Sequence, residues 1–188
     1  MMRTAFKEWA VVDEALGAGE QTLLIRKGGI HERGGRFEVE RHEFLIYPTY
    51  LHQTPEALKP PYRPRCRDDR PDRGKVCIRH SVRVAEVLRA PAGPGAAAPW
   101  DEFHVYAPAL IRQRYAYQPD RPLFVLIVRV YRLPAPVEIE ETPGYAGCRS
   151  WVNLGEDIDA LSAEPVLDEG AFTEGADQIR DALSWQAP

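Results

Sequence analysis

Cysteine is scarce in this chain and poorly placed for cross-linking. Cys66, Cys77 and Cys148 are odd in number and widely spaced, which speaks against a disulfide framework. No stretch approaches the ~18 consecutive apolar residues of a membrane span. The N-terminal run from Met1 to Trp9 lacks the apolar segment of a signal peptide. A reduced, cytoplasmic location is the expectation. Also missing are a Gly-Lys-Ser/Thr phosphate loop, a Gly-x-Ser-x-Gly nucleophile elbow near Cys148 or Ser150, and an Asp/Glu-x-Lys pair of the kind metal-dependent nucleases use. Cys77 and His80 form a Cys-x-x-His pair, but on a strand they point to opposite faces, and no second pair completes a tetrahedral set. His31 and His104 are scattered. Neither a metal nor another cofactor is expected. No internal repeat is visible.

Charge of both signs is present but unevenly distributed. The 188 residues carry a formal net charge of -4. Between Lys59 and Arg89, however, ten cations face only Asp68, Asp69, Asp72 and Glu86. From Glu138 onward the chain is mostly acidic. Such asymmetry marks either an anionic partner on the basic side or a solvated Arg-rich loop beside an acidic tail. The length fits one domain with a tail: an α+β domain over 1–155, then an acidic segment over 156–188 carrying a terminal helix near 176–185.

The pattern predicts a helix carrying Phe6, Trp9 and Leu16 on one stripe, closed by Gly17-Ala18-Gly19. Strands are expected at 21–26, 36–39 and 43–47, with Gly34-Gly35 as a turn. Thr54 and Pro55 read as the start of a short helix, and 60–74 as a Pro- and Arg-rich loop. Residues 76–87 alternate as a half-buried strand pair. Residues 90–99 form a connector, and a helix follows with Pro108 in its first turn. The run Leu123–Leu133 is the strongest strand, expected to end at Pro134 and Pro136, with one more short strand over 135–141. Strands outnumber helices and come in neighbouring runs. The fold class is therefore α+β, with a curled, mostly antiparallel, barrel-like sheet and flanking helices. Closure of 76–87, 123–133 and 43–47 on each other would remove exposed edges.

Two strand ends are dense in polar chemistry, and strand ends on a rigid sheet are favoured places for sites. The first is Arg26-Lys27-Gly28-Gly29. There, two glycines let backbone N–H groups approach an anion while two cations supply charge, unless the segment is only a strand-ending turn. The second presents Tyr47, Tyr50, His52 and Gln53, which would stack on a base and read its edge, unless the tyrosines fill the rim of the core. Arg129 and Tyr131 on the long strand are secondary candidates. The enzymatic alternative is a metal-dependent nuclease using Glu38, Glu40, His42 and Glu43, of which Glu38 and Glu40 share a face if the strand persists. A third alternative is a protein-binding accessory subunit that makes contact through its acidic tail.

Six segments carry a resemblance: Phe6–Trp9, Arg26–Ile30, Phe44–Gln53, Leu58–Pro60, Arg129–Leu133 and Gly147–Trp151. Together, over roughly Phe6 to Leu154, they resemble a prokaryotic family described as domain of unknown function 1802. That resemblance implies no activity. Association of some relatives with restriction-type endonuclease regions points towards nucleic acid. Glu102–Tyr106 departs from the Trp-rich segment the family leads one to expect. More loosely, the strand at 82–87 and the order of elements look like the small barrels of the PUA, ASCH and EVE group, which bind RNA or modified bases in a cleft. The resulting expectation is a binding domain for nucleic acid or a nucleotide-like ligand, with no membrane role.

Overall fold

The computed structural model describes residues 1–27, 31–33, 36–38, 41–67, 74–91, 94–145 and 150–184. Its frame is one curled sheet with two long central strands, β6 (Lys75–Arg89) and β7 (Phe124–Glu140). The remaining strands are β1 (Met2–Trp9), β2 (Leu23–Arg26), β5 (Glu43–Thr49), β8 (Trp151–Ile158) and the two-residue β9 (Glu164–Pro165). The order across the sheet is β2-β7-β6-β5-β1-β8, with β9 pairing β7 beyond the end of β2. Every pairing is antiparallel except β1 with β5. A separate hairpin joins β3 (His31–Arg33) and β4 (Arg36–Glu38). The three helices are α1 (Ala10–Gly17), α2 (Pro108–Ala116) and α3 (Glu169–Ser184).

The α+β class and the curled, mostly antiparallel sheet match the expectation, but the barrel does not close. Among the described residues no strand pairing joins β2 to β8. Strands β5, β6 and β7 lie side by side rather than bridging the gap. A side chain spans it instead. Arg26, at the end of β2, donates to the Lys7 carbonyl (3.1 Å) and to Glu8 Oε2 (2.7 Å) on β1.

Two further corrections have physical causes. The expected first helix is split, because Met2–Trp9 pairs on both sides, in parallel with β5 and antiparallel with β8. Tertiary pairing overrides local propensity there, and the helix starts only at Ala10. The long strand does not stop at Pro134. Its register with β6 jumps from Arg132 opposite His80 to Val137 opposite Ile78, so residues 133–136 bulge out against Arg79 alone. Both prolines sit in that bulge, where their missing N–H groups forfeit no ladder hydrogen bond.

The sheet separates two apolar clusters. Phe6, Phe44, Ile46, Trp100 and Tyr106 pack with α1 and α3 in one, which also takes in both faces of the first half of β7. Ala5, Leu45, Tyr47, Ile78, Tyr145 and Val152 pack in the other. The acidic segment is anchored to the first cluster through Ala176, Ile179 and Leu183, one stripe of α3. Asp168 Oδ1 accepts the Ala171 N–H at 2.8 Å and caps that helix. Ile179→Ala is expected to destabilise the domain by about 2–5 kcal/mol, the range for emptying a buried Ile site. Urea unfolding followed by tryptophan fluorescence measures this. A loss within a few tenths of a kcal/mol would mean that α3 is dispensable.

Candidate functional site

Three strands end together at one corner of the sheet. Arg26 of β2, Phe124 of β7 and Arg89 of β6 are consecutive partners across it. The Ala90 N–H donates to the Leu123 carbonyl at 2.8 Å and continues the β6–β7 pairing past the strand ends. Helix α2 begins with Pro108, whose fixed φ suits the first helical position, and its other end lies over this corner. Three contacts hold it there. Arg114 donates to the Ile25 carbonyl (3.1 Å), Lys27 Nζ donates to the Tyr115 carbonyl (2.6 Å), and Tyr115 Oη donates to the Pro91 carbonyl (3.0 Å). Burial pushes the Tyr115 phenol up to about 12, so it remains a neutral donor at physiological pH.

Between α2 and the strand ends lies a cleft of about 540 Å³. Its walls are apolar: Ala90, Pro91, Tyr115, Pro119, Pro122 and Leu123. Lys27, Arg89, Arg112 and Arg121 also line it, against the single carboxylate of Asp120. Arg89, Arg112 and Arg121 are exposed, and among the described residues none of them has a hydrogen-bond or ion-pair partner. Most other described arginines are held. Arg3 pairs with Asp157, Arg65 with Glu20, Arg83 with Glu43, and Arg180 with Glu86 and Asp177. Part of the basic stretch seen in the sequence is neutralised in the same way. Lys59 meets Asp101 and Lys75 meets Glu138, while Arg63 is held by the neutral Leu58 carbonyl and keeps its charge. Arg41, Arg67 and Arg79 are likewise exposed and without a partner among the described residues, but they do not line this cleft, which gathers three such arginines around one hollow.

The candidate residues read from the sequence fall in several places. Lys27 lines the cleft, with one of its three donors committed to α2. Arg26 does not. Its guanidinium stacks 3.8 Å from the Phe6 ring centre and pairs with Glu8, itself only 4% exposed. Gly28 and Gly29 lie outside the described residues. Tyr47 is on the opposite face of the sheet from Arg26. It is 1% exposed, with the Lys7 ammonium over its ring and its hydroxyl donating to Glu141. Gln53 is buried and donates to the Arg67 carbonyl. Tyr50 is half-buried, a desolvation that raises its phenol pKa, while His52 is exposed with a left-handed φ of 64°. The convergence of Arg26 with Tyr47 on one hollow is thus replaced by separation across a sheet.

Arg129 pairs with Glu169 and lies over Phe172. Tyr131 lines a second hollow of about 300 Å³, together with Glu43, Ser81, Arg83 and Leu161. There Arg83 is bound to Glu43 at 2.7 Å and stacks on Tyr131, so the charges cancel. Of the other nuclease candidates, His42 is exposed at the start of β5 and Glu38 is opposite His31 in the hairpin. Glu40 lies outside the described residues, among which no three His, Cys, Asp or Glu side chains form a metal-sized group. His80 is held by Asp13 (Nδ1 to Oδ1, 2.8 Å) rather than facing Cys77. His104 is buried with no hydrogen-bond partner among the described residues on either ring nitrogen, the nearest carboxylate being Asp101 Oδ1 at 3.7 Å from Nε2. Burial, with help from Lys59 and Arg114, lowers its pKa to about 3 and leaves it neutral.

Sequence reasoning missed Arg112 and Arg121 as site residues and placed Arg89 only within a basic run. Their separation along the chain gives no motif. The one local signal is the pairing of Arg112 with Tyr115 at i+3 on α2, which puts both on the cleft side.

The fold and site define an α+β domain with an open curled sheet and a basic cleft at its strand ends. The chain belongs to the family described as Domain of unknown function (DUF1802), whose profile matches residues 5–178 and so reaches well into α3. A search of the curated proteins finds no match. Among solved structures, the chain is similar to a serine-to-alanine variant of an ASCH protein from Zymomonas mobilis. The identity is 9% and the TM-score 0.43, over 71% of this chain and 72% of that one. No helix among the described residues is long and apolar enough to cross a membrane.

Proposed function

We propose that this chain is a binding module for nucleic acid or a nucleotide-like ligand, and that it grips phosphate groups in the cleft between α2 and the ends of β2, β6 and β7. The observation that carries this reading is the group of three unpaired arginines, Arg89, Arg112 and Arg121, around an apolar-walled cleft in a chain of net charge -4. An unpaired guanidinium offers planar, forked donors suited to phosphate oxygens. Gathering three of them around one cleft is electrostatically unfavourable until an anion arrives. The cleft volume falls within the ~300–1,000 Å³ typical of ligand sites. Lys27 adds a fourth charge and fixes the wall.

The test is fluorescence anisotropy with a labelled short oligonucleotide at several salt concentrations. Replacing Arg89, Arg112 and Arg121 together by Ala should weaken binding at least about tenfold at low salt. It should also flatten the dependence of log K on log salt by about 2, since each lost phosphate contact removes ~0.7–0.9 from the slope. Unchanged affinity and slope would place the ligand elsewhere. These side chains are exposed, so the fold should tolerate their loss.

A further inference from the structure

We infer that the cleft takes a single strand, with one unpaired base lodged against its apolar wall and the flanking phosphates held by the arginines at its edge. This rests on the phosphate-binding reading above and goes further in naming what enters. Two features of the site argue for it. The first is the wall itself. Ala90, Pro91, Pro119, Pro122 and Leu123, with the Tyr115 ring, line the same cleft as Arg89, Arg112 and Arg121. A duplex presents phosphates and sugars to a surface and keeps its bases stacked inside, so it would leave such a wall unfilled. An unstacked base has an apolar face that fits it.

The second is Tyr117. It is 62% exposed, one of the few large apolar side chains left in water. Ala116 and Pro119, its near neighbours in the chain, line the cleft, so the Tyr117 backbone runs beside it. Its backbone N–H is tied to the Gln113 carbonyl at 2.9 Å, and its ring hydroxyl accepts from Gln118 Nε2 at 3.3 Å. Gln118 adopts a left-handed φ of 47°, which turns the chain sharply after the tyrosine. An exposed aromatic on the segment between Arg112 and Arg121 suits the way single strands are held. The groove tracks the backbone while the ring stacks a neighbouring base.

The probes are a labelled single-stranded oligouridylate, a labelled oligothymidylate, the duplex of the latter with its complement, and inorganic pyrophosphate as competitor. The single strands should bind at least about tenfold more tightly than the duplex, and pyrophosphate should compete only weakly. Tyr117→Ala should weaken single-strand binding by roughly tenfold, within the range seen when a stacking residue is removed, and leave duplex binding unchanged. Tyr117→Phe should retain it. If RNA and DNA strands bind equally, the site reads base and phosphate only; a preference for one adds sugar recognition, and both outcomes fit the inference. If duplex matches single strand and Tyr117→Ala changes nothing, while the triple arginine variant still loses binding, the inference fails and the phosphate reading stands. If the arginine variant binds as the native chain does, the phosphate reading itself fails.

Discussion

Arg26→Ala is expected to destabilise the domain by about 3–5 kcal/mol, the usual result of removing one partner from a buried ion pair. Glu8 is almost entirely out of water, and its carboxylate is shared between Arg26 and the Tyr106 hydroxyl, which donates at 3.1 Å. Without Arg26 the charge is left in the interior with two neutral donors, the Tyr106 hydroxyl and the Trp9 N–H. The Phe6 ring and the Lys7 carbonyl lose their guanidinium contacts at the same time. Desolvation lowers the Arg26 pKa, opposed chiefly by the Glu8 charge, and that opposition shows how closely the two depend on each other. Arg26→Lys should recover little, because a single ammonium cannot reach carbonyl and carboxylate while lying flat on the ring. Arg26→Met combined with Glu8→Gln should recover much of the loss by removing both charges. Urea denaturation of the four proteins measures the series. A cost below about 1 kcal/mol for Arg26→Ala would mean that Glu8 finds water or another cation.

Gly17→Ala is expected to cost about 3 kcal/mol or more, although it adds a single methyl group. Gly17 ends α1, and a Cβ built there falls inside the van der Waals envelope of the His80 imidazole. That ring cannot simply move, because it is buried and bonded to Asp13, which is buried as well. Overpacking costs about 1–3 kcal/mol, and displacing His80 also leaves Asp13 without its partner in the interior. The signature is a coupling: His80→Ala should cost clearly less in the Gly17→Ala background than alone, by more than about 1 kcal/mol in a double-mutant cycle. Gly144→Ala is the control, with only the Thr142 hydroxyl near the added atom at 3.5 Å. Equal costs at Gly17 and Gly144 would mean that the helix end shifts freely.

The parts of the fold legible in the sequence were those set by local pattern. The nearly continuous apolar run from Leu123 became the first half of β7, alternation after Val76, read as a strand pair, became the single strand β6, Pro108 opened α2, and the terminal helix formed. What was hidden depends on partners distant in the chain. Met2–Trp9 looks helical until β5 and β8 flank it. Pro134 and Pro136 look like stops until the register jump opposite Arg79 gives them a place outside the ladder. The site followed the same division. Lys27 was found because it ends a strand beside glycines, and it does line the cleft. Arg26, its neighbour and the last residue of β2, turns over Phe6 to reach Glu8, so the pair seen as one motif serves two purposes. Tyr47 and Gln53 look like recognition chemistry by type, yet burial turns them inward. Arg89, Arg112 and Arg121 converge only through the three-dimensional arrangement of β6, α2 and the turn before β7.

The seam between β2 and β1 is fastened by a charge rather than by a ladder of backbone bonds, and this gives it a particular character. The attraction between Arg26 and Glu8 is strong because the surrounding side chains keep the local dielectric low. Those same side chains stay packed because the attraction holds them together. Admitting water there would weaken the clasp that excludes it, so the mouth of the sheet yields as a latch does, all at once or not at all.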